Sequence, residues 1–254
     1  MRYALALVVV FLWGWTARAD VVFPISYTAP NGGAGFFTYY DDTYLSICRL
    51  PESGLPFCDI NVPYTMVSGG TGQLTDLQTA GNLNWWRLPT PWVGWMQHAH
   101  NLDGDPCAEV DPDCFPGLGT EPVIEFTFET LMEFSLVQIH VDDANNYGGV
   151  KPPWKAELSD GITTKEFFFF DPPEGVPIWL TMDASGLIGT SLLLKLFFGG
   201  AWILLDEVQF FADVVFIPES DAAFAASMIE NPEPATIGLV LAGLALMMYH
   251  RRRR

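Results

Sequence analysis

Between residues 20 and 213 the apolar positions recur in short runs with a period of two, not the three-to-four spacing of a helix. Ile124, Phe126 and Phe128 alternate with Glu125, Thr127 and Glu129, which predicts a strand with one buried and one wetted face. Leu136, Gln138 and His140 alternate with Val137, Ile139 and Val141 in the same way. Clusters of Gly, Pro, Asn and Asp separate such runs and predict strands at 21–27, 35–40, 43–48, 64–68, 92–97, 123–129, 136–141, 155–159, 164–170, 178–182, 192–198 and 203–211. Short strands at this spacing predict an all-β sandwich. The most helix-like internal stretch, 221–230, is expected to be an Ala-rich stalk between that domain and the C-terminal segment. Four consecutive phenylalanines at 167–170 are expected to be buried on both faces or under a loop, since simple alternation would leave two in water. An adhesive apolar patch is the alternative.

Two longer apolar runs stand at the ends. Arg2 precedes apolar residues 3–15, and Ala17-Arg18-Ala19 has the small-x-small pattern of a cleavage site, so 1–19 is expected to be a secretory signal peptide and Asp20 the mature N-terminus. At the other end Pro232, Glu233, Pro234, Ala235 and Thr236 precede an uncharged run at 237–249, closed by His250 and Arg251, Arg252, Arg253 and Arg254. The prolines hold the chain extended, as a processing enzyme would need. A helix over 235–250 would span roughly 24 Å at about 1.5 Å per residue, a single transmembrane helix slightly shorter than a ~30 Å hydrocarbon core. The arginines supply a cytoplasmic stop. This tail, 231–254, resembles the PEP-CTERM sorting signal of exported bacterial proteins. The resemblance implies a precursor tethered transiently to the inner membrane, cleavage by an exosortase, and delivery to the cell surface or extracellular matrix. A tail anchor that is never cut is the other reading. The chain thus divides into 1–19, a sandwich at 20–213, a linker at 214–230 and the tail.

Charge narrows the partners. The chain carries 12 basic and 30 acidic residues, a net charge of −18. Loss of both end segments would leave six bases and about −24, a surface that repels nucleic acid and anionic lipid and attracts divalent cations. Cys48, Cys58, Cys107 and Cys114 in an exported chain favour disulfides; three pairings are open, and the sequence-local pairs 48–58 and 107–114 are preferred. A zinc site using His98, His100 and Cys107 is the less favoured rival, because no Cys-x-x-Cys spacing occurs. Asp103, Asp105, Asp111 and Asp113 form an acidic loop whose spacing does not match the helix–loop–helix calcium loop. It is expected to be solvated.

Several segments fall in a suggestive order. Leu74-Thr75-Asp76 leads to Trp92-Val93-Gly94-Trp95; Ile124-Glu125-Phe126 precedes Gln138-Ile139-His140; Gly148-Gly149-Val150 precedes Ser159-Asp160-Gly161; and Asp206-Glu207-Val208 closes the last strand. Across roughly 27–211 this resembles the galactose-binding-like, discoidin-type jelly roll common among carbohydrate-binding modules. The resemblance implies one structural Ca²⁺ held with Asp76 and Glu207, although Leu77 stands where the family has glycine. Trp85, Trp86, Asn145, Asn146, Tyr147 and Trp154 are the loop residues suited to a sugar: aromatic faces for stacking and amides for hydroxyls. Trp92, Trp95, Trp179 and Trp202 are expected in the core. No nucleophile elbow or phosphate loop is present, and the neighbours Asp142 and Asp143 on one strand would point to opposite faces. The chain is therefore expected to be a non-catalytic surface or matrix protein that contacts extracellular polysaccharide. A purely structural or adhesive role and, less favoured, a glycoside hydrolase are the alternatives.

Overall fold

The computed structural model describes residues 20–33, 39–46, 63–87, 91–99 and 117–215. The chain forms two compact units, Met1–Val214 and Val215–Arg254. The four cysteines, His100, the acidic loop, the signal peptide, the stalk and the sorting tail lie outside the described residues. Among those that are described, no helix is long and apolar enough to cross a membrane.

The described part of the first unit is almost entirely β. Its strands are β1 (Asp20–Val22), β2 (Ser26–Pro30), β3 (Leu45–Ser46), β4 (Met66–Thr71), β5 (Val93–Met96), β6 (Val123–Val141), β7 (Lys155–Ser159), β8 (Thr164–Phe168), β9 (Ile178–Phe197) and β10 (Trp202–Val214). Two 3₁₀ turns, Gln73–Thr75 and Tyr147–Gly149, are the only helical pieces among the described residues. The pairing path runs β3-β4-β2-β6-β9-β7-β8, and β10 joins β6 while carrying β1 and β5 on its other edge. All these strand pairs are antiparallel.

Two long strands make this a sandwich. The first part of β6 pairs with β2, its second part with β10, and β9 accompanies it throughout. Both strands therefore belong to both layers. Each had been expected as two shorter strands, 123–129 with 136–141 and 178–182 with 192–198. In β9 Gly186 and Gly189 interrupt the apolar pattern, and in β6 the alternation breaks at Thr130 and Leu131. These interruptions form corners: the β6–β9 register shifts between Thr127 and Met132 and again between Phe134 and Leu136, and Gly186 takes φ +85°. An extra residue bends a strand without ending its ladder.

The alternation read from β6 holds. Ile124, Phe126, Phe128, Val137, Ile139 and Val141 are buried, whereas Glu125 and Glu129 are exposed. Phe126 lies 4.7 Å from Phe210 of β10, and Phe128 lies 5.1 Å from the same ring, so the two layers meet through aromatic contacts. Leu192, Leu194 and Leu196 of β9 and Ala156 and Leu158 of β7 complete that face of the core.

Other expectations need correction. Residues 21–27 divide into β1 and β2 around Pro24, which cannot donate to a ladder. Tyr39 and Tyr40 are not in a strand, and β4 begins two residues later than expected. The phenylalanine run is not buried on both faces: Phe167 and Phe169 are partly buried, but Phe168 is 62% and Phe170 92% exposed. The reason is position, because β8 ends the pairing path and nothing described covers its outer face. Trp92, Trp95 and Trp202 are core residues as expected, while Trp179 is 40% exposed on β9, the strand that borders β6 in the second layer.

Candidate functional site

Four buried carboxylates grip the loop at 72–87, each through a different backbone N–H. Gln73 N–H donates to Asp41 Oδ1 at 2.9 Å, and Leu77 N–H to Glu207 Oε2 at 2.9 Å. Ala80 N–H donates to Asp206 Oδ2, and Trp85 N–H to Asp142 Oδ2 at 2.8 Å. Asn84 reinforces the last contact, donating to Asp142 Oδ1, Asp143 O and Gly175 O. None of the four acids is more than 1% exposed. A β-bulge explains why the sequential pair Asp206–Glu207 reaches one loop: Leu205 pairs with Val141 and Glu207 with His140, leaving Asp206 as the extra residue. Period-two reasoning would have sent these neighbours to opposite faces.

Burial sets the chemistry of these groups. Desolvation pushes Glu207 up to about 8, Asp41 up to about 7 and Asp142 up to about 6, and in each case the loop N–H partly offsets it. Asp206 is also raised by burial, and His140 pulls it back through a 2.7 Å contact at Nδ1. His140 itself is buried between Trp92, 5.8 Å away and parallel, and Trp179 at 4.9 Å. Asp41 also accepts from the Tyr27 hydroxyl, which ties the loop to the main core. A hydrogen bond to a charged group contributes about 1.5–3 kcal/mol, whereas burying an ionised carboxylate costs several kcal/mol. Protonation therefore decides whether each contact stabilises.

On this base the loop raises an aromatic platform. Trp85 and Trp86 meet edge to face at 5.6 Å, and Tyr147 lies 6.0 Å from Trp85 and 5.1 Å from Trp86. The tryptophans pack on a small second core of Tyr39, Ala80, Trp92, Trp202 and Leu204, while Tyr147 is 64% exposed. Asn145 and Asn146, both exposed or nearly so, take φ +49° and +67°, left-handed values that Asn tolerates better than most residues. Asn145 N–H donates to Asp143 Oδ1, and its side-chain amide to Pro173 O at 2.9 Å. Gly148 is required by its φ of +64° and by Trp85, whose ring would lie 2.4 Å from any Cβ there. Backbone strain concentrated in an exposed loop is a feature of binding sites.

The structure thus brings together five of the six residues expected to suit a sugar. Trp154 does not join them; its ring lies 5.9 Å from Phe168 and 6.0 Å from Phe197. Asp142 and Asp143 are fully buried and accept from the N–H groups of Trp85 and Asn145. Asp41, Asn84, His140 and Asp206 went unnoticed as site-building residues. Single buried acids carry no sequence signature, although Asn145-Asn146 before Gly148-Gly149 is a turn signal.

For the expected calcium, Glu207 is buried beside Asp76, whose charge further raises its pKa, and Leu77, where the resemblance implies glycine, adopts φ +63°, a left-handed value that glycine takes most readily. A buried carboxylate raised by an acidic neighbour suits a cation, and two carboxylates with loop carbonyls are an adequate donor type for Ca²⁺. Among the described residues no group of three or more His, Cys, Asp or Glu side chains is placed to hold a metal. His98 is exposed, and the rest of the zinc alternative lies outside the described residues.

Neither a family profile nor a curated protein matches this sequence. Solved structures similar to it include the C-terminal domain of a chitobiase from Bacteroides fragilis, 13% identical over 58% of this chain and 83% of that one, TM-score 0.33. The family 32 carbohydrate-binding module of Clostridium perfringens NanJ, solved with galactose, is 11% identical over 48% of this chain and 93% of that one, TM-score 0.27. An F5/8 type C domain from Bacteroides fragilis is 9% identical over 53% and 97%, TM-score 0.25. Likeness at these TM-scores carries no argument about this chain, and the sandwich described above rests on its own strand order and register.

The buried acids predict an unusual pH dependence. A carboxyl whose pKa is higher folded than unfolded holds its proton more tightly in the folded state. Its stabilisation is complete below about pH 4 and is lost as pH rises through the folded value, here about 7 for Asp41. In the presence of EDTA, the melting temperature is expected to rise as pH falls from 8 to 5. Asp41→Asn, which mimics the protonated acid and can donate to the Tyr27 hydroxyl oxygen, is expected to flatten that rise and to melt several degrees higher at pH 8. An equally steep profile in the variant would remove Asp41 from the explanation.

Proposed function

We propose that this chain is an exported, non-catalytic protein whose β-sandwich contacts extracellular polysaccharide through the platform of Trp85, Trp86 and Tyr147. The supporting observation is an aromatic cluster, exposed at Tyr147 and half-buried at Trp85 and Trp86, beside two left-handed asparagines on loops fixed from beneath by buried carboxylates. Aromatic faces stack on the apolar side of a pyranose, and amides bond its hydroxyls. The same sandwich is proposed to be a galactose-binding-like jelly roll. A purely structural or adhesive role draws its support from exposed Phe168 and Phe170. Hydrolysis by Asp142 and Asp143 is disfavoured because both are buried and already bonded to the loops.

Affinity electrophoresis of the full-length protein against soluble galactan and galactomannan tests the platform. Tyr147→Ala is expected to weaken retardation at least fivefold with little change in melting temperature, since the ring is mostly exposed. Retardation equal to that of the unaltered protein would exclude the platform as the contact.

We also propose that Pro232 to Thr236, the apolar run and Arg251 to Arg254 act as a PEP-CTERM signal, with exosortase as partner and the inner membrane as a transient stop. The protein recovered from the extracellular fraction is then expected to begin at Asp20 and to lack the four arginines. A mass that includes them would mean a permanent anchor.

A structural Ca²⁺ held by Asp76 and Glu207 is proposed in addition. It would supply the positive charge that the buried acids lack. Millimolar CaCl₂ is expected to raise the melting temperature of the full-length protein by several degrees at pH 7, and Asp76→Ala to abolish that gain. No shift on adding the metal to the unaltered protein would count against the site.

A further inference from the structure

The outer face of β7, β8 and β9 carries a second, independently built surface. Strand register places its side chains in transverse rows. In the first row Phe168, Lys155 and Phe197 are cross-strand neighbours, with the half-exposed ring of Trp154 against both phenylalanines. Two residues along, Glu166, Glu157 and Lys195 form the next row, with Val123 of β6 beyond them. The third row is Thr164, Ser159 and Leu193. Rows on one strand face repeat about every 7 Å and strands about every 4.8 Å. The surface is thus apolar at one end, charged in the middle and hydroxyl-bearing at the other.

A shallow depression of about 200 Å³ lies over the second and third rows, lined by Val123, Glu157, Ser159, Thr164, Leu193 and Lys195. Its groups are well ordered by one another. Lys155 Nζ pairs with Glu157 and Glu166 at 2.6 Å each and sits 4.5 Å from the Phe197 ring centre. The Thr164 hydroxyl donates to Ser159 Oγ at 3.1 Å. Lys195 Nζ lies 4.7 Å from the Phe197 ring centre, and no carboxylate is within ion-pair distance of it among the described residues. It shares the lining of the depression with Glu157, its cross-strand neighbour.

Charge selects the occupant. All four lysines of the chain, Lys151, Lys155, Lys165 and Lys195, lie on or beside these strands, in a protein of net charge −18. Even here Glu157 and Glu166 together balance Lys155 and Lys195, so the face is near neutral and offers an anionic polymer no attraction against the surrounding field. Another protein surface would have to cover the charged row as well as the aromatic one, and burying those ion pairs is costly. A neutral sugar chain suits each row: rings to stack on, paired charges and a free ammonium for hydroxyls, and hydroxyls beyond.

We infer that this face is a second glycan-binding surface, taking an uncharged hexopyranose chain laid along the strands from Trp154 toward Ser159, and separate from the loop platform. Its recognition does not depend on the Tyr147 site, and a polymer held at both places would bind more tightly than at either. Trp154 supplies the stacking face, and Lys195 with Glu157 supplies directional hydrogen bonds.

The test is affinity electrophoresis of the full-length protein in a polyoxyethylene detergent, against galactan, galactomannan, mixed-linkage β-glucan and, as the anionic comparison, alginate. Trp154→Ala and Lys195→Met, alone and in a Tyr147→Ala background, are compared with the unaltered protein. At least one neutral polymer is expected to retard the unaltered protein, and each face variant to weaken that retardation at least fivefold in both backgrounds. Lys195→Met changes a surface group only and guards against a folding defect in Trp154→Ala. Face variants that bind like the unaltered protein, while Tyr147→Ala abolishes binding, would overturn the face and leave the platform. Loss confined to the face variants would establish the face and remove the platform. Retardation by alginate alone, by no polymer, or a self-association that Trp154→Ala abolishes would each overturn the inference.

Discussion

Acceptance of loop N–H groups by buried carboxylates is the interaction on which the upper end of this sandwich depends. The loop at 72–87 has a few turns but no strand of its own, so the backbone donors those turns leave over must be met by side chains. Asp41, Glu207, Asp206 and Asp142 meet them in chain order along the loop, from Gln73 to Trp85. Each acid comes from a different place or a different bulge position in the framework. The loop is therefore held along its whole length, not at its ends alone, and the tryptophans it carries inherit that rigidity. A binding platform loses less conformational freedom on contact when its rings are already fixed.

The framework that presents those acids depends on β6 and β9 running through both layers. One end of β6 contributes Phe126 to the meeting of the layers, and the other delivers His140 beside Asp206 and leads directly into Asp142. Core packing and site geometry are thus written on one strand. The same continuity places Lys195 and Phe197 on the far end of β9, in line with β7 and β8. The two surfaces proposed to meet sugar are linked by shared strands.

Fold class was legible because alternation survives wherever a strand has one wet face, as at Ile124 to Glu129. The corners were not, because a glycine in a bulge and a glycine in a turn look alike in sequence: Gly186 bends β9, whereas Gly161 closes the β7–β8 hairpin. The buried phenylalanines failed as an expectation for a different reason. Periodicity reports that two faces differ, but which strand lies at an edge is a property of topology. Aromatic loop residues could be picked by type, and Trp85, Trp86 and Tyr147 do converge, yet Trp154 was drawn elsewhere by the register of β7 with β9. The carboxylates beneath them were illegible, since in a chain with 30 acids nothing marks those that turn inward.

Why acids occupy these positions, and not amides, follows from donor counting. A loop that presents N–H groups needs acceptors, and an ionised carboxylate is the one side chain that accepts without bringing donors of its own. Asn or Gln would add two N–H groups, useful only where an oxygen faces them, as the Tyr27 hydroxyl does at Asp41; elsewhere each left unpaired costs about 1–3 kcal/mol. The acid has its own difficulty, which is charge: among the described residues the one base in contact with these four carboxylates is His140, beside Asp206. At Asp142 the Asn84 amide and Trp85 N–H occupy both oxygens and partly offset burial, and its pKa rises only to about 6. At Glu207 burial and the charges of Asp76 and Asp206 outweigh the loop N–H groups, and the value reaches about 8. Asp142 is thus an acid satisfied by amides, and Glu207 an acid that still lacks positive charge. A bound proton satisfies the second only by adding a donor, whereas a cation at Asp76 and Glu207 would satisfy it without one, and that difference is what favours the metal.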